Sequence, residues 1–578
     1  MNKLVSWLSP VVAGALILAG CAQPIPIAPG DAAAPTKEAA QEAAGGDTAA
    51  PAEAQQGGIW RRASIADAEL LNPILSSESA SSAVNAMLFP GLIGQDPFSG
   101  EFTPDGSMSE SWEVSEDGLT WTFKLRDGVV WSDGDPVDAA DFKYTYDAIG
   151  SDAIETPRKS VLDGIESIET PDPLTVVVKF SEVRCDGLGN LGLGWLPSHL
   201  YAADFSDIME NDYNEAPPVS AGPFVFNTWT RDDNLTLTRN EQYWEGAPNM
   251  EGMIFKVVPD PGAQLAQLQA AEIDIMGVQP NQLATAQGIA DTEIFNFQDD
   301  GYDYIALNLA NPENPQPGVD ESGNLVDQEP HPILSDLNVR KAIAHSLDYQ
   351  TIIDQVYLGQ GYQIPANVLP AVPWAFNDAL EPYAYDLDTA KQLLEEAGWV
   401  DGDGDGVREK DGNKLSLSLV TNAGNTTRED LGALVQDQLT QVGFEIDFQA
   451  IDFGVMVEQM LGQTYDMVII GWTGLGTDPN DDAFWHTKYD TPGSGFNFVS
   501  YHNPEIDELL QKGVAVPGCS TEERAPTYKQ IQEIIHADVP YVFISGGVGN
   551  TAYTTKWQGI EPGPWAFYYN VHQWSLSQ

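Results

Sequence analysis

Hydrophobic and polar residues alternate with a period of two in two stretches of the first third of the chain. Leu119–Leu125 alternates strictly, and Leu174–Phe180 is a run rich in β-branched residues. A period of two places the apolar side chains on one face, which is typical of a half-buried strand. Tyr465–Ile470 is a short apolar run that predicts a buried strand leading into Gly471 and Trp472.

Four further stretches carry apolar residues at helical spacing. They are Leu265–Ala271, Leu337–Val356, Asp388–Ala397 and Glu429–Val442. Gly398 and Gly443 follow the last two stretches, and glycine commonly ends a helix. Asp138 begins another helical pattern, with acidic residues in its first turn. The mixture of both periods predicts an α/β protein, and no internal repeat of solenoid length is present.

The N-terminus carries the pattern of a lipoprotein export signal. Lys3 precedes an apolar stretch from Leu4 to Gly20, which is too short for a comfortable membrane-spanning helix. Small residues then precede Cys21, as a lipoprotein signal peptidase requires. We predict a signal peptide at 1–20 and a lipid anchor on Cys21. An ordinary signal peptide with an incidental cysteine is the alternative.

Residues 22–56 consist largely of Ala, Pro, Gly, Gln and Glu, with almost no large apolar side chain. Such a segment cannot bury enough surface to fold, so we predict a disordered tether over 21–56. The globular body is predicted to begin near Gly57.

The balance of charge excludes two classes of partner. Lys and Arg total 26 against 86 for Asp and Glu, which gives a net charge of −60. Such a chain repels phosphate backbones and anionic headgroups, so neither nucleic acid nor a membrane surface is an expected partner. The acids are spread along the chain, which favours a solvated surface over steering of a cationic ligand.

The two cysteines of the body, Cys185 and Cys519, leave the disulfide question open. An oxidising compartment permits a bridge between them, but separation in sequence does not determine distance in space.

Catalytic constellations are missing from the sequence. The seven histidines are scattered and none lies in an HExxH arrangement, and there is no GxSxG elbow, CxxC motif or P-loop. Among 86 acids, carboxylate pairs arise by chance. An exported hydrolase that uses paired carboxylates therefore remains only as an alternative hypothesis.

An acidic run resembles the first half of a calcium loop. Asp401, Asp403 and Asp405 occupy loop positions one, three and five, and Gly406 occupies position six. Position twelve is Gly412, where the loop normally has a bidentate glutamate. The run is interpreted as an acidic turn between the helix before Gly398 and the strand at 415–419, with a structural calcium site formed by these aspartates as the alternative; no other cofactor is expected.

Motifs along the whole body resemble one family. Ser111–Asp141 is similar, nearly position for position, to the signature of the family 5 solute-binding proteins, the oligopeptide-, dipeptide- and nickel-binding group of ABC importers. Further matches follow in the order of the family: Gly222–Phe224, Asn240–Gly246, Leu268–Asp274, Leu334–Ala342, Leu393–Gly398, Tyr465–Pro479 and Asn503–Asp507.

The resemblance implies a fold, namely an α/β periplasmic-binding-protein fold (type II, cluster C) of two lobes with an extra third domain. The lobes are expected to close about a hinge made of two crossing segments. The implied domains are domain I at 57–88, 183–300 and 535–578, domain II at 89–182, and domain III at 301–534.

The resemblance also implies the residues of a ligand cleft. They are Ser77, Ser79, Tyr302, Tyr304, Gly471, Trp472, Thr473, Gly474 and Leu475. Leu475 departs from the family pattern. The resemblance to peptide-binding members implies an aspartate at this position, which pairs with the α-amino group of the peptide. An amine buried without a counter-charge is costly. Either another acid such as Asp478 substitutes, or the ligand is an oligosaccharide or other neutral solute.

The expected function is capture of a peptide or similar small solute outside the cell. The protein is expected to be a monomer, to be held on the outer face of the cytoplasmic membrane only by its lipid, and to deliver the solute to the permease of an ABC importer without catalysis. Besides the hydrolase, a chemoreceptor partner or scaffold that binds without transport is an alternative.

Overall fold

The computed structural model describes residues 56–89, 91–561, 563 and 565–577. The export signal, Cys21 and almost all of the predicted tether lie outside these residues. Within them, the predicted mixture of helices and strands is present. The helices are α1 Ser79–Leu88, α2 Ala139–Ile149, α3 Gly187–Asn190, α4 Pro261–Gln269, α5 Leu283–Ala286, α6 Leu337–Ser346, α7 Tyr349–Gln355, α8 Leu387–Glu396, α9 Thr426–Thr440, α10 Phe453–Leu461, α11 Asp482–Trp485, α12 Pro504–Val514 and α13 Thr521–Asp538.

The strands group into one large sheet, one sheet of four strands and three short pairs. The strands are β1 Ile59–Ser64, β2 Gly94–Gln95, β3 Phe102–Thr103, β4 Ser109–Val114, β5 Thr120–Leu125, β6 Ile165–Asp172, β7 Thr175–Phe180, β8 Phe224–Thr230, β9 Asn234–Arg239, β10 Gly252–Val257, β11 Ile275–Gly277, β12 Thr292–Leu307, β13 Gly361–Tyr362, β14 Glu409–Lys410, β15 Asn413–Lys414, β16 Ser416–Asn422, β17 Glu445–Ile451, β18 Met467–Trp472, β19 Tyr541–Thr554, β20 Trp557–Gln558 and β21 Ser575–Leu576.

The large sheet has 11 strands and is held together by its two longest members. Its order is β17-β16-β18-β12-β19-β11-β1-β10-β9-β8, with β13 paired to β19. β12 has 16 residues and β19 has 14, and the two run antiparallel along one another. One end of this ladder pairs with β18 and the other with β11. The two long strands therefore belong to both halves of the sheet.

The ladder between β12 and β19 is interrupted in its middle. Its register shifts between Gln298 and Tyr302, and again between Asp303 and Tyr304. Opposite this break, β19 carries Gly546 and Gly547. Backbone that is poor in ladder hydrogen bonds and side chains bends more easily than a regular strand. This interruption divides the sheet into its two halves.

The separate sheet of four strands, in the order β4-β5-β7-β6, is antiparallel throughout. Along β5, Trp121, Phe123 and Leu125 are buried, whereas the residues between them are half-buried or exposed. The period of two in the sequence thus correctly predicted a strand with one face on the core. This sheet lies inside the range expected for domain II.

Helix ends follow local capping chemistry. Asp138 caps α2 in a capping box with Asp141, as expected for a helix start at this point. The single helix predicted over 337–356 is wrong, because the structure has α6 and α7 with a break at Leu347. Asp348 explains the break, since its side chain accepts the backbone N–H of Thr351 and starts a new helix.

The domain boundaries stay a prediction, with one structural qualification. Residues 541–546 of β19 pair with β12 beside β18, in the half of the sheet that contains β16 and β17. The second crossing therefore lies at the interruption near Gly546, later in the chain than the expected boundary at 535. In the described part of the chain, no helix combines the length and apolarity needed to cross a bilayer.

Cys185 and Cys519 form a disulfide bond, with their Cα atoms 5.3 Å apart. Polar contacts surround this bond and join the same two regions of the chain. Lys488 is paired with Asp163 at 2.6 Å, and the Asn480 side chain donates to Asp186 at 2.8 Å. The bond closes a loop over 334 positions of sequence, so it removes much conformational freedom from the unfolded chain.

Replacing both cysteines, Cys185→Ser with Cys519→Ser, is expected to lower the free energy of unfolding by about 2 to 4 kcal/mol, because the unfolded chain regains that freedom. Thermal melting measures the effect. A reducing agent should lower the Tm of the parent protein and leave that of the double variant unchanged. Equal melting of parent and variant without reductant would contradict the stabilising role of the bond.

Candidate functional site

A cavity of about 680 Å³ lies between the two halves of the large sheet. One wall comes from α1, which packs on β8, and the other comes from α10 and the end of β18. The lining residues are Ser77, Glu78, Ser79, Ser82, Ala83, Ala86, Arg158, Arg428, Phe453, Val457, Met460, Leu461, Ile470, Gly471, Trp472, Thr473, Gly474, Leu475, Asn480, Asp481, Ala483, Phe484, Phe496, Phe498 and Tyr568. This volume suits a small organic ligand or short peptide.

The wall at α1 is polar and includes the predicted Ser77 and Ser79. Between them, Glu78 caps the helix, and its carboxylate accepts the backbone N–H groups of Ala80 at 2.6 Å and Ser81 at 2.8 Å. Burial raises the pKa of Glu78 to about 7, although these hydrogen bonds oppose the shift. The carboxylate is thus engaged with the helix end.

The opposite wall is apolar and aromatic, and the predicted segment from Gly471 to Leu475 lies on it. Trp472 stacks on Phe484, with ring centroids 4.2 Å apart and ring planes 12° from parallel. The same indole meets Phe496 edge-on at 5.6 Å. Flat rings held by one another give a rigid surface against which a ligand packs at low entropic cost.

Tyr302 and Tyr304 lie behind this wall and not among the residues that line the cavity. On β12, Tyr302 pairs with Trp472 and Tyr304 pairs with Ile470 of β18. Tyr304 is fully buried and stacks on Tyr541, with centroids 4.0 Å apart. Both tyrosines therefore support the strand that presents Trp472.

Leu475 lines the cavity, as predicted from the sequence motif, and Asp478 is already paired. Arg524 holds both carboxylate oxygens of Asp478, with Nη1 at 2.7 Å from Oδ2 and Nη2 at 2.8 Å from Oδ1. An acid neutralised in this way is a poor partner for a ligand amine. Asp478 thus does not replace the acid that Leu475 lacks.

Three further charged residues of the lining, Arg158, Arg428 and Asp481, escaped the motif comparison. Arg428 is paired with Asp303 at 2.9 Å. Asp481 is 7% exposed and accepts a hydrogen bond from the Asn367 amide at 2.8 Å. Burial, with Asp478 nearby, raises the pKa of Asp481 to about 7. Its sequence neighbours Asp478 and Asp482 are equally acidic, so no local pattern singles it out.

The predicted calcium loop has a compact cluster of acids. Oxygens of Asp401, Asp403, Asp405 and Glu409 lie within 4.8 Å of one another. Asp405 is also paired with Lys414 at 2.8 Å, and Gly412, at loop position twelve, has a positive φ in the turn between β14 and β15. The cluster offers oxygen ligands that calcium prefers, without the bidentate glutamate, and the calcium site stays a prediction.

The two walls face one another across a cavity, and two strands that run through both halves of the sheet join them. This arrangement defines a two-lobed solute-binding protein. The model of the bacterial extracellular solute-binding proteins, family 5, matches residues 103–495. The chain belongs to this family, and its fold is the type II periplasmic-binding-protein fold that the resemblance predicted.

The relatives of the chain bind different solutes, according to their names. The oligopeptide-binding protein AppA of Bacillus subtilis is 30% identical over 533 residues, which cover 91% of this chain and 92% of AppA. Heme-binding protein A of Haemophilus influenzae is 26% identical, with 80% of this chain and 82% of that protein covered. The solved structure of AppA with a nonapeptide has a TM-score of 0.82 at 29% identity and covers 91% of this chain and all of AppA, 100%.

A further solved structure, NikZ of Campylobacter jejuni with Ni(L-His), has a TM-score of 0.76 at 24% identity and covers 89% of this chain and 99% of NikZ. At this identity the likeness supports the fold alone. Family members are solute-binding proteins, so a solute-binding role for this chain follows, whereas the chemical nature of the solute does not.

Gly301 is expected to be essential for the position of Trp472. It lies at the interruption of β12, and a Cβ there would overlap the carbonyl oxygen of Trp472. Gly301→Ala should displace the end of β18, lower the free energy of unfolding by about 1 to 3 kcal/mol and weaken binding of the solute that co-purifies. Gly277→Ala in β11, where a Cβ meets open space, is the matched control in melting and calorimetry. Unchanged melting of Gly301→Ala would contradict this packing argument.

Asp481→Asn is expected to remove a pH dependence of stability. The pKa of this carboxyl is raised from 3.8 to about 7, so the folded state keeps a proton that the unfolded state loses between these values. Asp481 should therefore contribute a fall in stability of a few kcal/mol as pH rises from about 4 to about 7, and the asparagine variant should lack this contribution while Glu78, whose pKa is also raised to about 7, keeps its own.

Melting temperatures of parent and variant across pH 4 to 8 measure this difference. The exposed Asp430→Asn variant is the control and should follow the parent at every pH. A difference in Tm between Asp481→Asn and the parent that stays constant from pH 4 to 8 would contradict the raised pKa of the buried Asp481 carboxyl.

Proposed function

We propose that the chain is the substrate-binding lipoprotein of an ABC importer, which captures a peptide or similar small solute and delivers it to the permease. The observation that carries the proposal is the cavity of about 680 Å³ between a polar and an aromatic wall. Closure of the two halves about the interrupted strands β12 and β19 would enclose such a solute.

The location outside the cytoplasmic membrane is part of the same proposal. The family is extracellular by description. The sequence around Cys21 supports lipid attachment, and the composition of residues 21–56 supports the predicted tether between the lipid and the body. A net charge of −60 repels anionic headgroups, which supports attachment to the membrane through the lipid and not through the protein surface. We propose a monomer that acts without turnover of its solute.

Native mass spectrometry of the freshly purified protein is the first test, because an enclosed cleft retains its solute through purification. We expect one bound small molecule per chain. Small-angle scattering before and after removal of that molecule should record opening of the two halves. Chemical conversion of the solute by the pure protein would contradict a binding function and favour the hydrolase alternative.

Leu475→Asp is expected to increase affinity for peptides with a free N-terminus by about tenfold, because the new carboxylate offers the counter-charge that the site lacks. Leu475→Asn, of the same size but uncharged, is the matched control. Calorimetric titration with one peptide in free and N-acetylated form measures the effect, which should be confined to the free form. Equal affinity of parent and aspartate variant would contradict the placement of the ligand N-terminus at Leu475.

A further inference from the structure

The two halves of the protein each pack around a hydrophobic core of their own. One core contains Trp60 of β1 together with Trp121 and Phe180 of the four-stranded sheet. Another contains Val468 of β18 together with Tyr528 of α13. The four-stranded sheet therefore belongs to the half with β1, whereas α13 belongs to the half with β18. Bodies with separate cores can move relative to one another without loss of their internal packing.

The disulfide bond joins these two bodies. Cys185 directly precedes α3, and Leu191 at the end of that helix is fully buried in the core around Trp60. Cys519 lies just before α13, which contributes Tyr528 to the core around Val468. Each sulfur is thus attached to a different core, and the bond between them crosses from one half of the protein to the other.

This bond is a third covalent link between the halves, in addition to β12 and β19. Two adjacent strands with an interrupted middle allow rotation of the halves about one line. The backbone N–H of Cys185 donates to the carbonyl of Val514 at 2.9 Å, which places the bond at the end of α12 and not on either crossing strand. A link outside the crossing strands limits how far such a rotation can proceed.

The bond also lies beside the solute cavity. Asn480 lines that cavity, and its side chain donates to Asp186, the residue after Cys185. On the other side of Cys185, Arg184 lies 3.8 Å from Asp482 of α11. We refer to the disulfide and these two contacts as the clasp. A change in the separation of the halves at the clasp therefore changes the cavity wall directly.

The halves meet in a different way at Glu69, between β1 and α1. Asp452 of the other half caps α10, and a Cβ on Gly454 would lie 3.4 Å from Oε1 of Glu69. The pKa of Glu69 is raised by burial and by the charge of Asp452, although Arg231 opposes the shift. Like charges therefore face one another here, which favours separation of the halves at this place.

We propose that the Cys185–Cys519 bond restricts the opening of the cleft, so that the halves separate at Glu69 and Asp452 and remain joined at the clasp. Hydrogen bonds and ion pairs across the clasp break and form again as the halves move, whereas the covalent bond persists. The inference rests on the proposed function, because it limits the movement by which the cleft would admit and release its solute.

Small-angle scattering of solute-free protein tests the restriction. The variant combines Cys185→Ser with Cys519→Ser. We expect the radius of gyration to increase on removal of the co-purified solute about twofold more in this variant than in the parent. Dithiothreitol, which reduces the bond to two thiols and is itself oxidised to its cyclic disulfide, should give the solute-free parent the radius of the variant. The variant should not respond to this reagent.

Val435→Ala is the matched control for lost stability. Val435 is fully buried in a core of the half with β18, so this variant is destabilised while its clasp stays intact. Its solute-free form should keep the radius of the parent. Hydrogen exchange adds a second readout, because exchange in residues 65–72 and 452–461 should be faster in the double cysteine variant than in Val435→Ala.

Equal radii of the solute-free parent and the double cysteine variant would overturn the inference, and would assign the bond to stability alone. An equal expansion of Val435→Ala would overturn it as well. The proposed function fails separately, when neither parent nor variant changes its radius between the solute-bound and solute-free forms. A parent and variant that open to the same extent would keep the proposed function and lose the restriction by the clasp.

Discussion

The antiparallel ladder between β12 and β19 is the interaction on which the rest of the structure depends. Among the described residues, it is the pairing in the large sheet that runs through both halves; β13 pairs with β19 at the interruption, and the remaining strands join one half or the other. Regular pairing at both ends fixes each half, whereas the irregular middle near Gly301 and Gly546 permits a bend. The regular pairing that fixes each half and the irregular pairing that permits a bend therefore lie in the same two strands, as hinge closure of two lobes requires.

The aromatic wall of the cavity is built directly on that ladder. Trp472 ends β18, and its backbone pairs with Tyr302 beside the interruption. Gly301 allows the carbonyl of Trp472 to approach, and Tyr304 packs behind the indole with ring centroids 6.2 Å apart. Any bend of the crossing strands consequently moves the indole, so ligand contact and domain movement share one set of atoms. This coupling is how a solute that touches Trp472 would bias the closed state.

The sequence predicted those parts of the structure that depend on local pattern. Strands such as 119–125 follow from a period of two, and helix starts such as Asp138 follow from capping chemistry. The motif predicted that Leu475 lines the cavity, because residues 471–475 are adjacent in sequence and lie on the same wall. Arg428 and Asp481 escaped, because their state depends on which distant segments bring a counter-charge or bury the side chain. A single arginine looks the same in sequence whether it is paired or not.

The same contrast between local pattern and distant contacts explains why the sequence predicts the family but not the ligand. The overall fold belongs to the family, and relatives named for an oligopeptide, for heme and for nickel-histidine are 24 to 30% identical to this chain. Discrimination among solutes within one fold depends on the side chains of the cleft, because apolar contact discriminates weakly whereas a buried unpaired charge discriminates strongly. In this chain, Leu475 contributes no charge to the wall of the cavity, and Asp478 is paired with Arg524.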